Sequence, residues 1–336
     1  MQKTPPALNR REHHDLNFGR DYLDFLKHLE VPTLIDVPGT DHSRCRAIVT
    51  LLHGNEPSGL KAVDQLLRHN INPATDLTII IASVNAALHP PVLSHRFLPW
   101  EADMNRCFSP PCITDQNRLA EAIITELDTR KPEAVVDTHN TSAHSEPFAV
   151  SIADTESIRQ LTGIFADNLV VMDQILGTLL ERGNMDNPWL TVEFGGIMDP
   201  RADTLAFETL VSFITAQELF DQPSKPMQTL YHPLRLEIVE DARIHYSSSV
   251  IHNSHITMFN TIDQLNFQRI EAGTPLGWLS PDGLEWFRIR GGNKEKVENY
   301  FCNNNGFLTT LKPLTLFMST TDPYIAQKDC LLYFTP

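Results

Sequence analysis

Up to about residue 220, the apolar residues of this chain alternate between short β-branched runs and longer stretches with one apolar face. The sharpest change of rhythm lies at AIVTLLHGNEPSG, residues 47–59. Ile48, Val49, Leu51 and Leu52 predict a buried strand by run length and β-branched content. His53-Gly54-Asn55-Glu56-Pro57 breaks that strand with turn residues, and SGLKAVDQLLRH then spaces Leu60, Val63, Leu66 and Leu67 for one helical face. Around this unit the pattern predicts a polar, loosely tied arm over 1–11, a helix over 22–29 and a strand over 33–37. It continues with a strand over 77–84, a loop over 89–116, a helix over 117–130, and strands over 134–142 and 147–152. A helix over 154–168, strands over 169–172 and 190–194, and a long helix over 202–220 complete the series. Strands alternating with helices indicate a layered α/β domain, here residues 1–220.

Beyond the polar, proline-containing DQPSKPM (221–227), the rhythm changes to short β-like pieces separated by Gly, Asn and Pro. Residues 228–336 therefore read as a smaller, mainly-β domain. No internal repeat interrupts either part.

Charge narrows the partners. Lys+Arg 27 against Asp+Glu 42 gives a net charge of −15, which argues against a nucleic-acid or anionic-membrane surface. An anionic small molecule stays open, because a local arginine cluster can outvote the global field. No run reaches the ~20 apolar residues of a membrane span, and the first residues lack the apolar core of a signal peptide. The five cysteines are scattered without a C-x-x-C pair, and Cys107 and Cys112, which flank an arginine loop, read as ordinary buried thiols. The expectation is a cytoplasmic protein with reduced cysteines.

The chemistry concentrates at predicted strand ends, the edge where open α/β folds place ligands. His53 and Glu56 have the spacing that lets an imidazole and a carboxylate converge in a tight turn. His139 ends another strand, with Asp137 two residues earlier on the same strand face, where it could fix the imidazole tautomer. Glu193 ends LTVE, where a buried carboxylate is costly unless partnered or functional. Asn105 and Arg106, in DMNRCF, suit a substrate carboxylate by offering an amide and a planar fork of donors. Taken singly, each has an ordinary alternative: a solvated loop pair, a core histidine, a turn carboxylate, a structural salt bridge.

Taken in order, HGNEPSG, DMNRCF, DTHNTS and VEFGG resemble the succinylglutamate desuccinylase/aspartoacylase family of zinc carboxypeptidase-like hydrolases, by motif over roughly residues 45–200. The resemblance implies a three-layer α/β/α catalytic domain with a smaller β domain. It implies one zinc ion per chain on His53, Glu56 and His139 with water in the open position, Glu193 as general base, and Asp137 as partner of a zinc histidine. Asn105 and Arg106 would hold the carboxylate of the amino-acid half. By the same resemblance Arg96, Arg182 and Tyr324 are further candidates for substrate contact, although Pro99 and Trp100 look like additions to the family's spacing. The implied reaction is hydrolysis of an N-acyl amino acid. A metallocarboxypeptidase acting on peptide C-termini is the nearest rival, and a non-catalytic zinc-binding protein a more distant one, because such a chain would have little reason to keep Glu193. Self-association into a homo-oligomer is left open.

Overall fold

The β-branched runs pair as one nine-stranded sheet. In the computed structural model, which describes residues 8–111, 113–183, 187–292 and 295–336, its strands are β1 (Asn9–Glu12), β2 (Thr33–Val37), β3 (Asp41–Thr50), β4 (Thr75–Ile81), β5 (Val135–Thr141), β6 (Phe148–Ser151), β7 (Asn168–Val171), β8 (Trp189–Gly196) and β9 (Gln228–Tyr231). They lie in the order β1-β2-β4-β3-β5-β8-β6-β7-β9. The central β4, β3 and β5 run parallel, which brings the carboxyl ends of β3 and β5 to one edge. Cys112 lies outside the described residues; Cys45, Cys107, Cys302 and Cys330 are free thiols.

Helices α1 (Tyr22–Leu29), α2 (Ser58–Arg68), α3 (Val84–Leu88), α4 (Asp115–Arg130), α5 (Glu156–Phe165) and α6 (Pro200–Thr215) cover both faces of the sheet. Side-chain parity sorts them. Ala47, Val49 and Val135 point into a core with Leu119, Ile123 and Leu127 of α4. Thr50 and Thr138, of opposite parity, touch the first turn of α2, where a Cβ on Gly59 would lie 2.0 Å from Thr138 Oγ1. Helices α1, α5 and α6 pack with α2 or with one another on that second side.

Most expected elements appear with ends shifted by a few residues. Two expectations are corrected. The polar arm is tied from Asn9 onward: β1 pairs in parallel with β2, and Arg10 bridges to Glu126 at 2.7 Å. Backbone pairing at a sheet edge needs no apolar side chains, so the pattern misses it. The strand expected to Val84 ends at Ile81, and Val84, Ala86 and Ala87 are buried in the short helix α3.

The chain divides into two compact units. The first runs through Asn140, then Pro147–Val170 and Ile175–Thr229; the second comprises Thr141–Glu146, Val171–Gln174 and Leu230–Pro336. The short segments 141–146 and 171–174 thus leave the span 1–220 read as one domain. The second unit is mainly β. One five-stranded sheet contains β10 (Leu234–Ile238), β13 (Arg269–Ile270), β15 (Phe287–Arg290), β18 (Leu314–Phe317) and β19 (Leu332–Thr335). The other contains β11 (Ile244–Ser247), β12 (Ile256–Phe259), β14 (Pro275–Leu279), β16 (Phe301–Asn304) and β17 (Phe307–Thr310). Leu236, Met258, Leu276, Leu308, Leu316 and Phe334 share its core, and the helix α7 (Pro323–Lys328) precedes the last strand. Among the described residues no helix is long and apolar enough to cross a membrane.

Candidate active site

The site begins where β3 stops. Leu51, fully buried, takes a left-handed backbone conformation (φ 59°) that few non-glycine residues adopt, and so turns the chain out of the strand. Gly54 follows, so close to the loop beyond α3 that a Cβ would sit 2.7 Å from both the Ala87 nitrogen and the His95 oxygen. Only glycine fits, and its N–H donates to the Arg96 carbonyl at 2.9 Å. The Glu56 N–H donates back to the His53 carbonyl at 3.2 Å, folding the turn so that His53 Nδ1 lies 2.9 Å from Glu56 Oε1.

Strand β5 brings the third group. Val135 faces the α4 core, so Asp137 and His139 continue that face toward the carboxyl end. His139 Nδ1 lies 2.6 Å from Glu56 Oε2 and 3.1 Å from His53 Nδ1. The ligand atoms of His53, Glu56 and His139 all fall within 4.8 Å of one another, and all three residues are buried. On the neighbouring β8, Trp189 lies in the same core, which puts Thr191 and Glu193 on the same face. The Thr191 hydroxyl donates to Asp137 Oδ2 at 3.4 Å.

The outer nitrogens set the tautomers. His139 Nε2 lies 2.8 Å from Asp137 Oδ2, and His53 Nε2 lies 3.1 Å from Asp103 Oδ1. Each ring can give its Nε2–H to a carboxylate, leaving an Nδ1 lone pair aimed inward. Glu56 adds two carboxylate oxygens to the same point. Lone pairs so placed repel unless a cation or a proton sits among them. In the protein alone a proton does so: burial disfavours a charged His139, but Asp137 and Glu56 outweigh it and hold its pKa well above the imidazole range. Burial likewise opposes ionisation of Glu56, yet the two histidines keep its carboxyl well below the usual range. Two imidazoles and a carboxylate, each neutral or anionic when unprotonated, fit a divalent cation with positions to spare.

Glu193 differs from these groups. It is 8% exposed, and its Oε2 has no hydrogen-bond partner among the described residues. Burial pushes its pKa up to about 8, with His139 opposing and Glu56 adding to the rise.

The other residues singled out in the sequence differ in what they touch. Asn105 is buried beside His139, its Nδ2 3.5 Å from Nε2, while its Oδ1 accepts the Leu179 N–H at 3.0 Å. Arg96 donates from Nε to Asp103 at 3.0 Å and reaches Glu56 Oε1 with Nη1 at 3.4 Å. Arg106, half-buried, donates to the Asn105 carbonyl at 2.7 Å. Arg182 donates to the Phe108 carbonyl at 3.1 Å. Tyr324 belongs to the second unit, on α7, and is 67% exposed. In the sequence Asp103 stands out only as the first residue of DMNR. Burial opposes its ionisation, but His53, Arg96 and Arg106 keep it well below the carboxylate range. Its Oδ1 also accepts the Asn105 N–H at 2.9 Å, so one carboxylate shapes the loop and holds an imidazole.

The chain is similar to known proteins in sequence family and in fold. The model of the succinylglutamate desuccinylase/aspartoacylase catalytic domain matches residues 46–215, just over half of the chain. Similar solved structures include a succinylglutamate desuccinylase from Vibrio parahaemolyticus (15% identity, 88% of this chain and 95% of that one, TM-score 0.56). A succinylglutamate desuccinylase/aspartoacylase from Rhodobacter sphaeroides matches with 14% identity, 86% and 83% coverage and a TM-score of 0.54. The product-bound ectoine utilization protein from Ruegeria pomeroyi matches with 16% identity, 83% and 88% coverage and a TM-score of 0.50. Identities this low speak for the fold alone. No curated protein sequence matches the chain. The matched span contains the whole His–Glu–His cluster and Glu193, and on that match the chain belongs to the succinylglutamate desuccinylase/aspartoacylase family of hydrolases.

Proposed function

We propose that this protein is a zinc-dependent amidohydrolase that deacylates an N-acyl amino acid. The observation that carries the reading is the meeting of three buried inward-facing donors, His53, Glu56 and His139, in a chain that also buries an unpartnered carboxylate oxygen on Glu193. Such a donor set suits catalytic zinc, whose Lewis acidity polarises a carbonyl and lowers the pKa of water toward ~7.

The protein's own part follows from its groups. Glu193, as carboxylate, takes a proton from the attacking water as a carbon–oxygen bond forms at the acyl carbonyl. It then returns that proton to the amide nitrogen as the carbon–nitrogen bond breaks, giving a carboxylic acid and a free amine. Burial raises its proton affinity above the usual carboxyl range, which helps one group both to accept and to donate a proton. Asp137 and Asp103 hold the two imidazoles in the tautomer that ligation requires. Asn105 and Arg106 receive the substrate's carboxylate, and Arg96, beside Glu56, favours negative charge developing nearby. Arg182 and Tyr324 are further substrate contacts in this reading; the first lies on the Phe108 carbonyl and the second is exposed on the second unit.

The similar structures carry names with different substrates, so the acyl group is a matter for assay. A panel of N-acetyl, N-succinyl and longer N-acyl amino acids, with short peptides alongside, tests the reading through released amine. Turnover of acylated amino acids with little action on peptides is expected. Preferential release of C-terminal residues from peptides would replace this reading with a carboxypeptidase.

A further inference from the structure

We infer that Asn140 is a positioning residue that ties the turn carrying Glu56 to the strand carrying Glu193. Asn140 directly follows His139 on β5 and is buried. Its backbone N–H donates to Glu56 Oε2 at 3.3 Å, on the same carboxylate that faces both histidines. Its side chain points to the opposite face of the strand from His139. There Oδ1 accepts the Ser58 N–H at 3.1 Å, and Nδ2 donates to Ser58 Oγ at 2.9 Å and to the Gly195 carbonyl at 3.2 Å.

Each of these bonds does something its neighbours cannot. Helix α2 starts at Ser58, and its N-cap position is Pro57, which makes no side-chain cap bond. Asn140 therefore supplies from another strand the acceptor that a Ser, Thr, Asp or Asn would ordinarily place at that cap. Gly195 lies two residues beyond Glu193 on β8, with a backbone (φ 112°) strained for any other residue. The Asn140 carboxamide accepts from a peptide N–H with one end and donates to a peptide carbonyl with the other. Aspartate would keep the first bond and oppose the second. The chemistry also fixes which end is oxygen, because the Ser58 N–H needs an acceptor and the Gly195 carbonyl a donor.

One side chain thus links the turn of a candidate ligand, the strand of another and the strand of the base. The chain of bonds continues outward, from Ser58 Oγ to Asp203 at 2.7 Å and from Lys61 to the same carboxylate at 2.7 Å, anchoring α2 to α6. Ser58→Ala breaks that outer part and the bond from Asn140 Nδ2 to Ser58 Oγ, while leaving the Asn140 bonds to the Ser58 N–H and to Gly195.

This inference rests on the zinc-hydrolase reading, so the test reads metal affinity as well as turnover. Zinc affinity is measured by competition with a chromophoric chelator for the unmutated protein, Asn140→Ala, Asn140→Ser and Ser58→Ala, together with kcat, KM and thermal unfolding. Loss of the Asn140 carboxamide is expected to weaken zinc binding by about 10–100-fold, and at saturating zinc to lower kcat with little change in KM. Ser58→Ala should stay within a few-fold on both counts. If Asn140→Ala does not fold, the smaller change in Asn140→Ser carries the test. Unaltered zinc affinity and kcat in a folded Asn140 variant that is merely less heat-stable would reduce the residue to a structural one and overturn the inference. An unmutated protein that binds no zinc would overturn the zinc-hydrolase reading and this inference with it; zinc binding without turnover would count against the hydrolase alone.

Discussion

The two ends of the central strands carry buried charge in opposite ways. At the amino end of β3 and β5, each charge meets its opposite. Arg46, fully buried, donates to Glu133 at 2.6 Å; Arg44 meets Asp41, Glu133 and Glu218; Arg130 meets Asp36 and Glu126. At the carboxyl end, His53, Glu56 and His139 point lone pairs at one another, and Glu193 leaves an oxygen without a partner. The first end is a network of opposite charges, in which one nitrogen of Arg46 stays without a partner among the described residues and a cavity is lined by Arg44, Arg130 and Glu133. The second gathers ligand-type groups that share a proton in the protein alone and would suit a cation in its place. That contrast, more than the number of charged residues, distinguishes a structural network from a working site.

Mutation should separate the two ends, beginning with the largest effect. Glu193→Gln is expected to lower turnover by roughly 10²–10⁴ while zinc content, read by elemental analysis, stays unchanged. A variant that keeps its turnover would remove Glu193 from the chemistry. Asp103→Asn and Asp137→Asn, each disturbing one imidazole from behind, should weaken zinc affinity by about 10–100-fold in chelator competition. If only Asp137→Asn has an effect, the matched roles of the two carboxylates are wrong.

The pH dependence of metal binding sharpens the contrast further. Ligation needs His139 Nδ1 without its proton, and the metal-free protein keeps that proton above the ordinary imidazole range. Binding therefore expels a proton, and affinity should rise with pH, by up to about tenfold per unit, until that pKa is passed. A flat affinity between about pH 6 and about pH 9 would show that no proton is displaced. The smallest catalytic effect is expected at the far end. Glu133→Gln strips a partner from Arg46 and should cost about 2–3 kcal/mol of stability in denaturant unfolding, below the ~3–5 kcal/mol of a fully buried pair because Glu133 is 20% exposed. Its kcat per folded molecule should match that of the unmutated protein. A large fall in kcat would mean that the two ends communicate.

Much of this was legible in the sequence because function here follows strand geometry. A β-branched run ending in HGNEP places His53 and Glu56 at a sheet edge, and the two-residue period of a strand puts Asp137 behind His139. Asp103 was less visible: it lies in a loop of prolines and histidines, and only the fold brings that loop against Gly54 and His53. Asn140 was hidden for another reason. Its parity points away from the ligands, and its worth lies in bonds to Ser58 and Gly195, far from it along the chain. Arg182, which the family resemblance offers as a substrate contact, has its guanidinium on the Phe108 carbonyl. The edge strand β1 escaped because backbone pairing leaves no mark on side-chain pattern.

Zinc stoichiometry of the unmutated protein, measured with turnover before and after chelation, tests the central claim most directly. The account predicts near one zinc per chain on His53, Glu56 and His139, loss of metal and activity together on chelation, and recovery of both when zinc is restored. A protein that stays metal-free when zinc is supplied, or that turns over an N-acyl amino acid equally well without it, would contradict that claim.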